Sequence, residues 1–412
     1  MQYHAKSLIT EGFMVEIFGY SGSSPIEFLT DNSNVSFNYL SQFPKLKFMP
    51  GFVNYLCKAV YLTVQLFLKM FFRMSFPGFY LVQNPPSIPT LMVVYVLSVL
   101  RGSTMIIDWH NYGFTILSMN VKSKNHFLVQ FSKWFEGFFG YLSDKNICVT
   151  KAMQLDLKSK WKINAEVLYD KPPEQFKRIE NVNEKQTLFK KLIDSKSFEE
   201  YRHHKMWDSI LSLSCTSNSV KKPCVLISST SWTEDEDFSI LLDALVCYEE
   251  EKQIKDSLPK LVCIITGKGP QKDLYKQKIR DHRFENIAVV TPWLESKDYP
   301  TVIGCGDIGV CLHYSSSGLD LPMKVVDMFG CCLPVCAINF SCLDELVKHG
   351  LNGLTFTDSS ELFEQIKELV ESIHQSNGDL AKMKDHLHNN FSRYRWHENW
   401  KEVMYPVLDI TK

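Results

Sequence analysis

Short apolar runs alternate with segments of helical period along almost the whole chain, and few architectures accommodate that pattern. A strand that is apolar throughout is buried on both faces, which is the situation of a parallel strand covered by helices. In the first half such runs fall at 14–19, 79–83, 104–108, 146–150 and 166–169. In the second half they fall at 224–228, 261–266, 287–291, 308–312, 334–337 and 353–356. Between the two sets lies 176–222, a polar stretch rich in Lys, Glu, Ser and His that reads as a linker with one helix over 184–193. The expected fold class is therefore α/β, with two doubly wound domains over 1–175 and 223–393. A chain of 412 residues is long enough for two cores of ordinary size. Segment 394–412 carries Trp396 and Trp400 one helical turn apart and is expected to complete the first domain.

Composition excludes several classes. Lys and Arg number 45 against 46 Asp and Glu, so the overall charge does not point to nucleic acid. Twelve cysteines occur without a Cys-x-x-Cys pair, which argues against a disulfide framework or zinc site and for a reducing compartment. The chain opens in an amphipathic helix with no strand, signal peptide or spanning stretch before it, one element late for a β-α-β domain. Segment 51–78 is unusually apolar but is interrupted by Lys58, Lys69 and Arg73, so it makes a poor membrane span. It reads either as an interfacial helix with a basic edge or as a helix packed on the sheet. A second very apolar helix follows within 81–100.

Four stretches could carry chemistry. "SSTSWTEDEDFSILLDAL" (228–245) follows a strand and opens a helix, with Thr233 as N-cap and Glu236 completing a capping box. The same residues spell a metal motif at Asp235 and Asp237, and the capping reading is preferred. The turn before it, with Ser229 and Ser231, stands at the carboxyl end of its strand, where doubly wound sheets bind ligands. "IITGKGP" (264–270) is a strand running into a turn whose Lys268 could meet a phosphate, as could any plain strand-to-helix turn. "SSSGLDLPMKVVDMFG" (315–330) offers Ser316, Ser317 and Gly318 before a helix bearing Lys324 and Asp327, an anion site with an acid for sugar hydroxyls. A capped helix with an ordinary ion pair satisfies the same spacing. "MIIDWHNYGFT" (105–115) ends an apolar strand with Asp108 and His110, either of which could take a proton from an acceptor hydroxyl.

These stretches, with "CVTKAM", "YDKPP" and "TPWLESKDYP", closely resemble the chitobiosyldiphosphodolichol beta-mannosyltransferase family, from Met1 to the C-terminus. The resemblance implies a GT-B fold, two Rossmann-like domains facing a central cleft. It implies GDP-mannose as donor, no cofactor and no catalytic metal. Mannose would pass with inversion to the outer GlcNAc of dolichyl-diphosphate chitobiose, forming the β-1,4 linkage of the first mannosylation for protein N-glycosylation. The implied place is the cytosolic face of the endoplasmic reticulum membrane, with other early mannosyltransferases as partners. A Pro-x-Lys-x-x-acid segment, here Pro322, Lys324 and Asp327, would hold the donor, with pyrophosphate on Lys324 and ribose on the acid. Ser229, Ser231, Lys268, Ser316, Ser317 and Gly318 would complete the donor set. Related retaining enzymes carry two glutamates where this chain has Asp320 and Asp327. The family's membrane helix, first strand and Gly-containing loop stand before the element with which this chain opens. A second reading from another class is a non-catalytic chain that binds nucleotide within a mannosyltransferase complex.

Overall fold

In the computed structural model the chain divides into two units, Met1–Tyr169 with Trp396–Lys412, and Asp170–Arg395. The described residues are 1–22, 24–44, 51–202, 207, 223–234, 236–373, 375 and 377–410, with backbone alone for 51, 52, 55 and 197.

In the second unit, six parallel strands are ordered β12-β11-β10-β7-β8-β9. They are β7 (Cys224–Ser229), β8 (Leu261–Thr266), β9 (Ile287–Val290), β10 (Ile308–Cys311), β11 (Val335–Ile338) and β12 (Gly353–Phe356). Every residue of β8 and β10 is buried, as expected where helices cover both faces. Leu241, Leu245 and Tyr248 of the helix Ser239–Ile254 pack with Leu226, Cys263 and Ile308 in one core. The strand order reverses between β7 and β10, whose Leu226 and Ile308 are in register. That reversal is the switch point at which open α/β sheets bind ligands, beyond the carboxyl ends of the strands.

The stretch 176–222 is not a free linker over its described part. Asn181 caps the helix Val182–Ile193 by accepting from the amides of Asn183 and Glu184. Phe189, Leu192 and Ile193 are buried, and Lys185 donates to the Cys305 carbonyl at 3.3 Å. Its polar composition hid an apolar stripe that is buried within the second unit.

The first unit holds two parallel sheets, β1-β2 and β3-β4-β5-β6. Their strands are β1 (Val15–Tyr20), β2 (Val35–Leu40), β3 (Phe79–Asn84), β4 (Thr104–Trp109), β5 (Lys145–Cys148) and β6 (Glu166–Val167). Sequence patterning missed β2, whose apolar residues alternate with Ser36 and Asn38 and are only half-buried. The helices are α1 (Gln2–Thr10), α2 (Glu27–Thr30), α3 (Gly51–Arg73), α4 (Thr90–Arg101), α5 (Gly113–Asn120), α6 (Phe127–Leu142) and α7 (Lys151–Trp161). Right-handed crossovers place helices of successive parallel strands on one side, and α3 packs on α4, α4 on α6 and α6 on α5. The inner edges of β1 and β3 line one cavity of about 1790 Å³, together with Leu66 and Met70 of α3.

The C-terminal helix Trp396–Val407 packs on this first unit. Trp400 is fully buried, and its indole donates to His4 Nδ1 at 2.9 Å. Trp396 packs edge-on against His4. Trp400→Ala is expected to cost about 3–5 kcal/mol of stability, the usual range for a large aromatic removed from a core. A urea titration followed by near-ultraviolet circular dichroism reads this as a lower midpoint, and an unchanged midpoint contradicts the packing.

Candidate functional site

The loops after β7 and β10 meet at a buried carboxylate. Glu236 is 2% exposed. Its Oε2 accepts from Thr230 Oγ1 at 2.7 Å, from the Ser231 amide at 2.7 Å and from Ser231 Oγ at 3.1 Å. His313 Nδ1 lies 3.4 Å from Oε1, and Lys324 Nζ pairs with the same oxygen. Burial alone would raise this carboxyl, but the His313 and Lys324 contacts override it and hold Glu236 well below the usual range. Lys324 also donates to the Ser229 carbonyl at 2.9 Å. One ion pair therefore ties the β7 loop to the helix Met323–Gly330.

The sequence gives Glu236 a capping role that the structure does not. Its helix begins at Ser239, past Thr233, and no side chain caps it. The Glu236 carboxylate does reach backwards, but to Thr230 and Ser231. Asp235 lies outside the described residues. Asp237 accepts from Ser239 instead, both from the amide at 3.0 Å and from Oγ at 2.7 Å.

The serine-rich turn also differs from expectation. Ser315 and Ser317 both donate to Asp320 Oδ1, the latter at 3.1 Å, and the Gly318 amide donates to Ser315 Oγ at 2.9 Å. Asp320 thus closes the loop on itself, and the helix starts only after Pro322, without a side-chain cap. Ser316 stays exposed on that loop, and Gly318 holds a left-handed φ of 71°. The helix places Asp327 one turn beyond Lys324. No hydrogen bond to its carboxylate forms among the described residues, and burial, then Asp170, push its pKa up to about 7. Tyr299, whose hydroxyl lies 3.0 Å from Ser229 Oγ, is raised by burial and by Asp327.

The glycines flanking Lys268 serve the protein backbone rather than a ligand. A Cβ on Gly267 would stand 1.7 Å from the Thr230 carbonyl oxygen, and one on Gly269 would stand 1.7 Å from that of Ser231. They let the loop after β8 lie directly on the loop after β7. Lys268 is exposed, with its ammonium 3.9 Å above the Trp293 ring. Ser229, Ser231 and Lys324 therefore share one network, Pro322 and Asp327 stand on the Lys324 helix without a hydrogen bond to that network among the described residues, and Lys268 points away onto Trp293. Sequence spacing did not reveal Glu236, His313 or Tyr299 as members of the network.

In the first unit, Asp108 and His110 stand at the carboxyl end of β4. Asp108 is 2% exposed, with His110 Nε2 2.8 Å and His4 Nε2 3.2 Å from its Oδ2. Because Trp400 donates to His4 Nδ1, His4 carries its proton on Nε2 and donates it to Asp108. Burial pulls Asp108 upward, but the charge and hydrogen bonds of His110 and His4 prevail and hold it far below the carboxylate range. Burial between two imidazoles removes Asp108 as a direct base. His110, about a quarter exposed, is held by Asp108 through Nε2.

Nearby loops are fixed by Glu136 of α6, which is fully buried. It accepts from Ser87 Oγ at 2.9 Å and from the amides of Gly113 and Phe114. Burial pushes its pKa up to about 7.

The residues 223–372 match the family model "Glycosyl transferases group 1". Anabaena HepE, solved with UDP and glucose, superposes with a TM-score of 0.65 at 14% identity, covering 100% of this chain and 96% of that one. The fold is that of the GT-B glycosyltransferases, two Rossmann-like domains each built on parallel strands. A Homo sapiens relative named chitobiosyldiphosphodolichol beta-mannosyltransferase is 44% identical over 99% of this chain and 89% of its own. An Arabidopsis thaliana relative named UDP-glycosyltransferase TURAN is 38% identical over 99% of this chain and 94% of its own. The chain belongs to the chitobiosyldiphosphodolichol beta-mannosyltransferase family.

The raised Glu136 pKa has a definite sign for stability. A carboxyl whose folded pKa exceeds its unfolded value favours folding in the protonated form, so stability falls as pH rises from about 4.5 to about 7. Glu136→Gln is expected to remove this dependence and to stabilise the protein at pH 8 by about 2–3 kcal/mol. Thermal melts across pH check it; parallel wild-type and variant profiles contradict it.

Proposed function

We propose that the chain transfers mannose from GDP-mannose to the outer GlcNAc of dolichyl-diphosphate chitobiose, forming a β-1,4 linkage with inversion. The observation that carries the reading is the Glu236–Lys324 network at the β7/β10 switch point, in a chain of this family. Lys324 spends two of its donors on Glu236 and Ser229, and the third meets the donor's diphosphate. Its pairing with Glu236 fixes the ammonium in place before the anion arrives, which lowers the cost of binding. Asp327, unpaired and one helical turn on, takes the ribose hydroxyls. Ser316, Ser317 and Gly318 present the adjoining loop to the donor.

On the acceptor side, His110 takes the proton of the sugar hydroxyl as that oxygen attacks the anomeric carbon. The bond from that carbon to the diphosphate breaks, and its electron pair leaves with GDP. Asp108 stabilises the imidazolium that forms, and His4 and Trp400 keep Asp108 in position. His110→Ala should lower kcat by about 100-fold or more, the usual worth of a general base, with little change in donor affinity. The diphosphate charge is met by Lys324 and loop amides, so we infer a metal-independent reaction in which EDTA leaves activity largely intact. Full loss on chelation, restored by manganese, contradicts this. A lipid-linked acceptor supports work at a membrane, and we infer the cytosolic face of the endoplasmic reticulum from the family resemblance.

The donor assignment is tested by calorimetry. Lys324→Ala should weaken GDP binding by about 1.5–3 kcal/mol, the value of a charge-assisted hydrogen bond. Unchanged GDP affinity, or tighter binding of UDP than of GDP, overturns the donor assignment.

A further inference from the structure

Helix α6 is apolar on both sides, although only one side is buried. Val129, Phe135 and Phe139 face inward, with Glu136 among them. Outward, Phe127, Phe131, Trp134, Phe138 and Tyr141 are 63, 43, 55, 44 and 67% exposed. Their spacing alternates between four and three residues, so they form one continuous stripe along the helix. Trp134 and Phe138 stack at 5.2 Å. The neighbouring α3 carries a second stripe, with Leu56, Val60, Val64, Leu68 and Phe72 all exposed. Val96, Val99 and Leu100 of α4, which packs between them, are exposed as well. Monomers seldom expose apolar surface on this scale without a partner for it.

Charge selects among partners. From residue 51 to residue 143 the chain carries seven Lys and Arg but two acids, Asp108 and Glu136. Both acids are buried, at 2% and 0% exposure. Arg73, Lys122 and Lys124 are exposed, while Lys58, exposed as well, lines the cavity beside β1 and β3. The surface of this segment is therefore cationic in a chain whose net charge is −1. A protein partner for an apolar face commonly meets charges of both signs in similar number at its rim, whereas this rim offers mainly cations, with Asp144 just past α6 as an exposed acid. Apolar stripes, an exposed Trp and Tyr on α6 and a rim in which cations outnumber the single exposed acid, Asp144, match the interfacial zone of an anionic bilayer. No described helix is long and apolar enough to cross a membrane, so the geometry is that of helices lying along a surface.

We propose that the outer faces of α3, α4 and α6 form one docking surface for an anionic lipid bilayer, with α6 as its aromatic anchor. This deepens the reading of a lipid-linked acceptor. Glu136 fastens the buried side of the same helix to Ser87 and to the start of α5, loops that lie at the carboxyl ends of β3 and β4. Membrane contact through α6 thereby fixes the height of His110's surroundings above the lipid.

The test is flotation with phosphatidylcholine vesicles, with and without phosphatidylserine, in the absence of nucleotide and acceptor. Wild type should float with the anionic vesicles and much less with the neutral ones. The triple variant Phe131→Ser, Trp134→Ser, Phe138→Ser should lose vesicle affinity at least about tenfold, as should Lys122→Glu with Lys124→Glu. Both variants should keep the wild-type melting temperature; the charge variant lies in an exposed loop and guards against misfolding of the other. Wild type left in the aqueous layer overturns the proposal, as does equal flotation of all three proteins. A concentration-dependent dimer abolished by the triple variant also overturns it, since a second copy would then cover the face. Flotation needs no donor, so its failure leaves the donor assignment standing, and a chain that floats without binding GDP fails only the latter.

Discussion

The ion pair between Glu236 and Lys324 is the constraint on which the loops of the second unit depend. Strands β7 and β10 are neighbours at the centre of the second sheet, yet their helices leave in opposite directions. Nothing in the sheet itself fixes the loops above that divide. Glu236 does so by taking two hydroxyls, one amide, His313 and Lys324 onto a single carboxylate. A buried carboxylate is costly unless every lone pair is satisfied, and here the satisfaction is what shapes the site. Removing either partner leaves the other buried without its counter-charge, so the pair behaves as a unit.

The first unit applies the same physics with different residues. Asp108 is buried and ionised because two imidazoles face it, and one of them is set by an indole from the far end of the chain. Helices at the two ends of the sequence thus determine the orientation of one histidine in its middle. The role of His4 is orientation, since it is buried and engaged on both ring nitrogens. His110 is the member with access to solvent, at 28% side-chain exposure against 3% for Asp108.

Much of the fold was legible in the sequence, because parallel strands buried on both faces leave uninterrupted apolar runs. β8 and β10 are such runs, and their burial is complete. β2 escaped because a half-buried strand next to polar Ser36 and Asn38 has no such signature. The helix Val182–Ile193 escaped as a packed element because Lys185, Lys190 and Lys191 are as many as its buried apolar residues Phe189, Leu192 and Ile193. In the site, Lys324 and Asp327 could be read from spacing along one helix. Glu236 could not be assigned its role, since its partners come from loops that only the strand order brings together. Capping boxes and buried hubs place a glutamate at similar distances from a strand end. The outward stripe of α6 was missed, because a helix apolar on two sides gives no sequence sign of which side is covered.

The central proposal is a single displacement at the anomeric carbon of GDP-mannose with His110 as its base. It is tested most directly by the stereochemistry of the product formed from GDP-mannose and a short-chain lipid-diphosphate chitobiose. A one-bond carbon–proton coupling measured at the new anomeric centre distinguishes the two outcomes. The account predicts a β-linked mannose, formed by wild type and not by His110→Ala. An α-linked product, or β-product formed undiminished by the variant, contradicts it.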